Sequence, residues 1–182
     1  MIREALALDA AAIGRVQVVT WQHTYRGIID PELLSRLSYA RAAAQWLHWF
    51  FHHPPDQVCQ VVVDARGRVI GYAMGGIART AKAVQKGHAE IQVLYVVPEH
   101  QQQGNGREIV KSMARRFDRL GMRSLEIWVL AQNPACHFYE KLGGSLIAKR
   151  KNRLGRQMLP EHCYAWSSLK PLLRQAEITW PE

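Results

Sequence analysis

Residues 90–107 narrow the options of this chain further than any other stretch. Glu90 to Val97 is a β-rich run, Pro98 ends it, and a polar loop follows with Gly104 and Gly106 one residue apart. A helical pattern, Arg107 to Leu120, begins directly afterwards. Strand, glycine loop and helix start together make a phosphate grip. Glycine lets a backbone come close and turn with positive φ. The unpaired N–H groups of a helix start then face the anion, with the helix dipole behind them. Two phosphate motifs are excluded. A P-loop needs Gly-Lys-Ser/Thr, and here Gly106 is followed by Arg107-Glu108. A dinucleotide fingerprint needs a small residue three places after Gly106, where Ile109 stands. What remains is Gln101-x-x-Gly104-x-Gly106, which taken alone is also compatible with an ordinary glycine-rich strand-to-helix turn.

A second segment, Asn133-Pro134-Ala135-Cys136-His137-Phe138-Tyr139-Glu140-Lys141-Leu142-Gly143-Gly144, follows the apolar strand Ser124 to Leu130. Together with Val96-Val97-Pro98 and the Gln-x-x-Gly-x-Gly loop, it resembles the GNAT N-acetyltransferase superfamily. There the loop holds the pyrophosphate of acetyl-CoA, and an Asn followed by a short Phe-Tyr-Glu-Lys-Leu-Gly helix is the other hallmark. One helix and one strand separate the two segments, as in that superfamily. Val19-Thr20-Trp21 through Tyr25-Arg26-Gly27 resembles the first helices of many bacterial members. The resemblance thus runs from Ile2 to about Leu169. It implies an α/β (α+β) fold: a central mixed, mostly antiparallel sheet, splayed at the acetyl-CoA site and flanked by helices. The expected organisation is one domain over residues 1–182, with a tail at about 169–182.

The resemblance also implies a site. The backbone of Leu94, Tyr95 and Val96 would pair with the pantetheine arm like an added strand. The loop Gln101, Gln102, Gln103, Gly104, Asn105, Gly106 and Arg107 would hold the pyrophosphate, its amides from Gln102 to Arg107 doing the binding. Asn133 would hold the cofactor arm, a role compatible with capping the helix after it. Tyr139 is the candidate general acid, because a phenol is protonated at neutral pH and can donate to the departing thiolate. Glu90 is the candidate base or cation-attracting carboxylate beside the acceptor amine; an ordered water chain is the alternative. Trp21, Tyr25 and Arg26 are expected to line the acceptor pocket, core packing being the competing role for Trp21.

A coarse pass along the chain agrees with an α/β architecture. Met1 to Glu4 reads as a strand, and Asp9 as the N-cap of a helix with Ala12, Ile13, Val16 and Val19 on one face. Pro31 suits a helix start, and Ala40 to Phe51 is helical until His52-His53-Pro54-Pro55. Gln57 to Val63 and Arg68 to Met74 flank the turn Asp64-Ala65-Arg66-Gly67. Gly75 to His88 reads as a loop near the site. Ile109, Val110, Met113, Phe117 and Leu120 share a helix face, and Gly121 caps it. Ser145 to Asn152 and His162 to Trp166 read as a final hairpin.

Composition excludes a few classes. No apolar run is long enough to cross a bilayer, and no signal-peptide pattern opens the chain, so a cytoplasmic protein without membrane contact is expected. Cys59, Cys136 and Cys163 are odd in number and in no metal-type spacing, which suits free thiols and no metal. The net charge of +9 is spread along the chain, densest at Lys149-Arg150-Lys151-Asn152-Arg153. A solvated hairpin explains that group better than nucleic acid, and a positive field also favours capture of CoA. The expected reaction is therefore direct transfer of acetyl from acetyl-CoA to a primary amine, on a small molecule or a peptide. The alternative is a noncatalytic acyl-CoA sensor or nucleic-acid-associated module on the same fold. The strand edges of the final hairpin leave room for a homodimer.

Overall fold

The structure is a computed structural model that describes residues 1–79 and 87–174. In chain order the elements are β1 (Ile2–Glu4), α1 (Ala10–Thr24), α2 (Pro31–Ser35), α3 (Tyr39–His52), β2 (Val58–Val63), β3 (Val69–Ile77) and β4 (His88–Val96). Then come α4 (Asn105–Arg119), β5 (Ser124–Leu130), α5 (Ala135–Lys141), β6 (Ser145–Leu154), β7 (Gln157–Trp166) and α6 (Lys170–Arg174). The strands form a seven-stranded sheet in the order β1-β2-β3-β4-β5-β7-β6. All neighbours are antiparallel except β4 and β5, which run parallel. This is the mixed, mostly antiparallel, helix-flanked sheet expected from the sequence.

One face of the sheet carries the main core. Ile109, Val110, Met113 and Phe117 of α4, all at 0% exposure, meet Ala89, Ile91, Leu125 and Ile127 of the central strands. Apolar side chains recur there at three- and four-residue spacing, so α4 buries a single stripe. On the opposite face α1 and α3 bring Ile13, Val16 and Trp46 onto Val61 and Tyr72. A third, smaller cluster joins Tyr25, Ile29, Leu34 and Leu159, with Trp21, Leu33, Leu130 and Leu154 against it. It sits where α2 meets the tip of the β6–β7 hairpin, tied by Asp30 N–H donating to Gln157 Oε1 at 2.7 Å.

The decisive irregularity is in β4. Met74 pairs with Val93 and Gly75 with Ile91, so Gln92 is an extra residue, a β-bulge. Ala89, Ile91 and Leu94 face the α4 side, whereas Val93 and Tyr95 face α1 and α3. The bulge thus breaks the strict alternation that a regular strand would show. Gly75 is what admits it, since a Cβ there would lie 2.2 Å from Glu90 O.

Several details differ from the sequence expectations. Gly75 to Ile77 extend β3 and His88 opens β4, so neither is loop; residues 80–86 of that expected loop lie outside the described residues. Ala12 and Val19 are only partly buried, and Val18 is buried in place of Val19. Asp9 does not cap α1 with its side chain. Its carboxylate accepts from Leu6 N–H at 2.8 Å and from both Arg3 nitrogens at 2.6 and 2.8 Å, fixing the corner between β1 and α1. The final hairpin is longer than its alternation suggests, turning at Gly155-Arg156, because charged residues on an edge strand conceal the period. The start of the tail is ordered: Leu169 and Leu172 are 2% and 0% exposed and belong to the main core.

Arg3, chiefly through its hydrogen bonds, holds the Asp9 carboxyl below its ordinary value. A depressed carboxyl pKa stabilises the fold above the unfolded value and loses that effect as pH falls through the folded one. Asp9→Asn is accordingly expected to cost about 1.5–3 kcal/mol in urea unfolding at pH 7. The gap to the unsubstituted protein should close below pH 3.8, the ordinary carboxyl value. In the core, Phe117→Ala should cost about 3–5 kcal/mol, whereas exposed Leu8→Ala should change stability by less than about 0.5 kcal/mol.

Candidate active site

β4 and β5 pair only from His88↔Ser124 to Ile91↔Ile127. Beyond Ile91 the strands part, while β5 stays paired with β7 through Leu130↔Glu161. The wedge between them is a cavity of about 1180 Å³. Leu94, Tyr95 and Val96 form one wall and Trp128, Val129 and Leu130 the other. On its β3 side the backbone of Leu94 to Val96 is paired; on the cavity side no strand among the described residues pairs with it. An extended, amide-bearing chain could complete it as an added strand.

The loop at the base of the wedge has the geometry of an anion cradle. Gln102 (φ +59) and Gly104 (φ +83) both take the left-handed conformation. Nothing lies within 4 Å of a Cβ built on Gly104, so its backbone angle, not space, calls for glycine there. The first hydrogen bond returned within α4 is Glu108 N–H to Gly104 O at 3.0 Å. The N–H groups of Asn105, Gly106 and Arg107 therefore have no helical acceptor and carry the positive end of the helix dipole. Gly106 has a different constraint: a Cβ there would meet the Phe138 ring at 3.2 Å, so α5 packs directly on the loop. The Gln101 side chain turns back to Val96 O at 2.8 Å, and Asn105 Nδ2 to His100 O at 2.9 Å. These two brace the loop with their side chains. Arg107 and Lys141 are cations in the cavity lining.

The other sequence candidates divide. Asn133 is 8% exposed and lines the cavity. Its Oδ1 accepts from Ala135 N–H at 2.9 Å, starting α5. Tyr139, 4% exposed, lines the cavity too. Burial, then the neighbouring Tyr25 and Cys136, push its pKa well up, so the phenol keeps its proton. Trp21 and Tyr25 stack edge to face, 5.1 Å between ring centres, and both line the cavity. Trp21 Nε1–H donates to Tyr95 Oη at 2.8 Å. Arg26 is exposed and stands outside the lining. Glu90 also lies outside it, buried at 3% exposure. Arg79 reaches its carboxylate with Nε at 3.2 Å and Nη2 at 3.1 Å, and this hydrogen bonding raises the Arg79 pKa.

The carboxylate that does face the cavity is Glu161 on β7. Its Oε2 accepts from Arg150 Nε at 2.7 Å and its Oε1 from Asn152 Nδ2 at 2.9 Å. No local sequence signal marks it, because its place follows from the register of β7 against Leu130. Thr20, Gln92 and Trp128 were missed for similar reasons. Thr20 Oγ1 is buried in the lining and, among the described residues, has no hydrogen-bond partner. Cys136 is not set up as a nucleophile: burial raises its pKa and its thiol points at Leu130 O and Ala131 O. A second depression, about 560 Å³ along the end of α3, presents His48, Trp49, His52 and His53. Those rings stack on one another, and among the described residues no His/Cys/Asp/Glu group has metal-binding geometry.

The structure thus brings together a strand parted from its neighbour, a glycine loop at a helix start and a buried tyrosine around one cavity. Residues 17–144 match the model of the acetyltransferase (GNAT) family. The chain belongs to this family. It is an acetyl-CoA-dependent acyltransferase. It is 30% identical to the N-acetyltransferase YuaI of Bacillus subtilis (strain 168), over 96% of this chain and 98% of that protein. Among solved structures it is similar to PaiA N-acetyltransferase of Thermoplasma acidophilum in complex with coenzyme A. The TM-score is 0.66 and the identity 20%, covering 88% of this chain and 96% of the other. It is likewise similar to the acetyltransferase yncA of Salmonella typhimurium with acetyl-CoA. There the TM-score is 0.68 and the identity 21%, covering 100% and 97%. No helix among the described residues is long and apolar enough to cross a membrane.

If Gly104 to Arg107 hold the pyrophosphate, Gly104→Glu should put a like charge against it and strain the backbone at φ +83. Calorimetric titration should then show acetyl-CoA affinity reduced by about 100-fold or more, since like charges brought together cost several kcal/mol. Retained affinity would place the pyrophosphate elsewhere.

Proposed function

We propose that this acyltransferase moves the acetyl group of acetyl-CoA onto a primary amine by direct attack, the residues described acting as one domain. The cavity-side edge of Leu94, Tyr95 and Val96, which no strand among the described residues pairs, carries this reading. The donor's pantetheine amides would complete the strand there, and the backbone N–H groups from Gln102 to Arg107 would hold its pyrophosphate. Arg107 and Lys141 add charge at that end. Bound in this way, the donor supplies an activated thioester; everything else is positioning by the chain, worth up to about 7–11 kcal/mol of barrier.

In the proposed reaction the amine nitrogen forms a bond to the acetyl carbon, and the carbon–sulfur bond breaks. Tyr139 gives its proton to the departing thiolate, since burial keeps that proton in place until a strong acceptor arises. With Glu90 bound to Arg79, water in the cavity takes the proton that the nitrogen sheds. Glu161 attracts the amine while its own geometry is held by Arg150 and Asn152. The acceptor end, lined by Trp21, Tyr25, Ile29, Trp128 and Leu154, suits an amine with an apolar portion beside its nitrogen. Free thiols at Cys59, Cys136 and Cys163 fit a cytoplasmic setting. The outer edge of β6 is the place for a second copy.

Acetyl-CoA titration, followed by thiol release across a panel of amines, tests the reading. Binding together with release for one class of amine supports it; binding with no release for any amine or peptide would leave an acyl-CoA binder instead. Tyr139→Phe should bind acetyl-CoA normally yet lower kcat about 10²–10⁴-fold. Unchanged turnover would remove Tyr139 from the reaction.

A further inference from the structure

Glu161 is the carboxylate that β7 carries into the cavity, and its neighbours fix both of its oxygens. Arg150, directly opposite on β6, donates Nε–H to Oε2 at 2.7 Å, and Asn152 donates Nδ2–H to Oε1 at 2.9 Å. Arg150 is itself pinned from another side, its guanidinium carbon 3.9 Å from the centre of the Trp128 ring. The two charges are unevenly placed. The Arg150 side chain is 44% exposed and stands outside the cavity lining, whereas that of Glu161 is 11% exposed and belongs to it. Solvent therefore screens the cation more than the anion, and the cavity meets the carboxylate. Each oxygen accepts one of these donors and can take a second. The surface around the carboxylate is apolar. Leu130 lies opposite on β5, and Leu159 stands two places earlier on the same face of β7. Both belong to the apolar cluster that contains Tyr25 and Ile29.

We propose that the acceptor is a hydrophobic primary amine with no carboxylate beside its nitrogen, docked on Glu161 as the ammonium ion. The inference rests on acetyl transfer taking place in the wedge as proposed above. A primary alkyl amine carries its proton at neutral pH, as the lysine side chain does. Its ammonium group donates three hydrogen bonds and accepts none, so it suits the acceptor sites that Glu161 still offers. The apolar body then lies against Tyr25, Ile29 and Leu154, where removal from water favours it. An α-amino acid brings the same ammonium group, but its own carboxylate would come beside Glu161. Like charges set together in this way are strongly disfavoured. Arg150 is not placed to offset them, since it lies outside the lining with its face on Trp128. Glu161 is thus a specificity residue that reads the charge next to the nitrogen. The proton that the nitrogen sheds before attack still passes to water in the cavity.

Phenethylamine and phenylalanine differ by a single carboxylate, so the pair reads this discrimination directly. Calorimetric titration into the protein saturated with CoA should show phenethylamine binding about 100-fold or more tighter than phenylalanine. Glu161→Gln keeps the size of the side chain and removes its charge. It should weaken phenethylamine about 30-fold or more and bring the two ligands within about threefold of each other. CoA affinity should stay within about twofold. In turnover the variant should raise KM for phenethylamine with kcat little changed, the pattern of a lost binding contact. Three outcomes overturn the proposal: phenylalanine binding within about tenfold of phenethylamine, binding by neither, or an unchanged ratio in Glu161→Gln. The ratio in the unsubstituted protein decides the matter even where Glu161→Gln fails to fold. Because saturation with CoA is measured first, each of these outcomes leaves the donor site standing. Failure of both CoA and acetyl-CoA to bind would overturn the acetyl-transfer reading together with this one.

Discussion

The sheet opens between β4 and β5 because β4 gains a residue at Gln92. Up to Ile91 the two strands share a parallel ladder, and one residue later the regular geometry that would continue it is gone. A bulge increases local twist and bends its strand, and here the bend turns Leu94 to Val96 away from Trp128 to Leu130. The cost is a stretch of strand edge that no strand among the described residues pairs, where Val96 O takes Gln101 Nε2–H instead, and a fold tolerates such an edge only where something else satisfies it. The close approach of Gly75 to Glu90 O shows that β3 accommodates the bend as well.

Everything that faces the wedge is braced by elements outside it. The α1 helix reaches β4 through Trp21 Nε1–H, which donates to Tyr95 Oη, and Asn133 Oδ1 starts α5 by accepting from Ala135 N–H. α5 in turn rests on the glycine loop at 101–107 through Phe138 and Gly106. These links run from one wall of the wedge to the other without closing it. They hold hydroxyl and amide groups at fixed positions in a buried setting, where electrostatic interactions are stronger than in water.

Much of this was legible in the sequence wherever the signal is local. The turn chemistry of 98–106, the spacing from Asn133 to Gly143 and the apolar stripe of α4 each belong to a few consecutive residues. What escaped depends on register or on long-range pairing. Strict alternation along β4 would group Tyr95 with Ile91, and the bulge groups it with Glu90's side of the sheet. Glu90 sits on a suitable strand, yet nothing nearby in sequence announces that Arg79 will hold it. Glu161 reaches the cavity because β7 pairs with Leu130, thirty-one positions earlier, a fact no window of the sequence contains. Asp9 has the residue type of a cap and serves as a cross-link because Arg3 arrives beside it.

The third apolar cluster, around Tyr25, Ile29, Leu34 and Leu159, borders the cavity through Tyr25 and Ile29 and is smaller than the two cores that hold the sheet together. Local opening in a protein follows the least buried cooperative unit. This cluster is accordingly the place where local opening is expected first, ahead of either larger core. Changes at Leu33, Leu154 or Gln157 would then alter how often this side of the cavity opens while the main core stays intact.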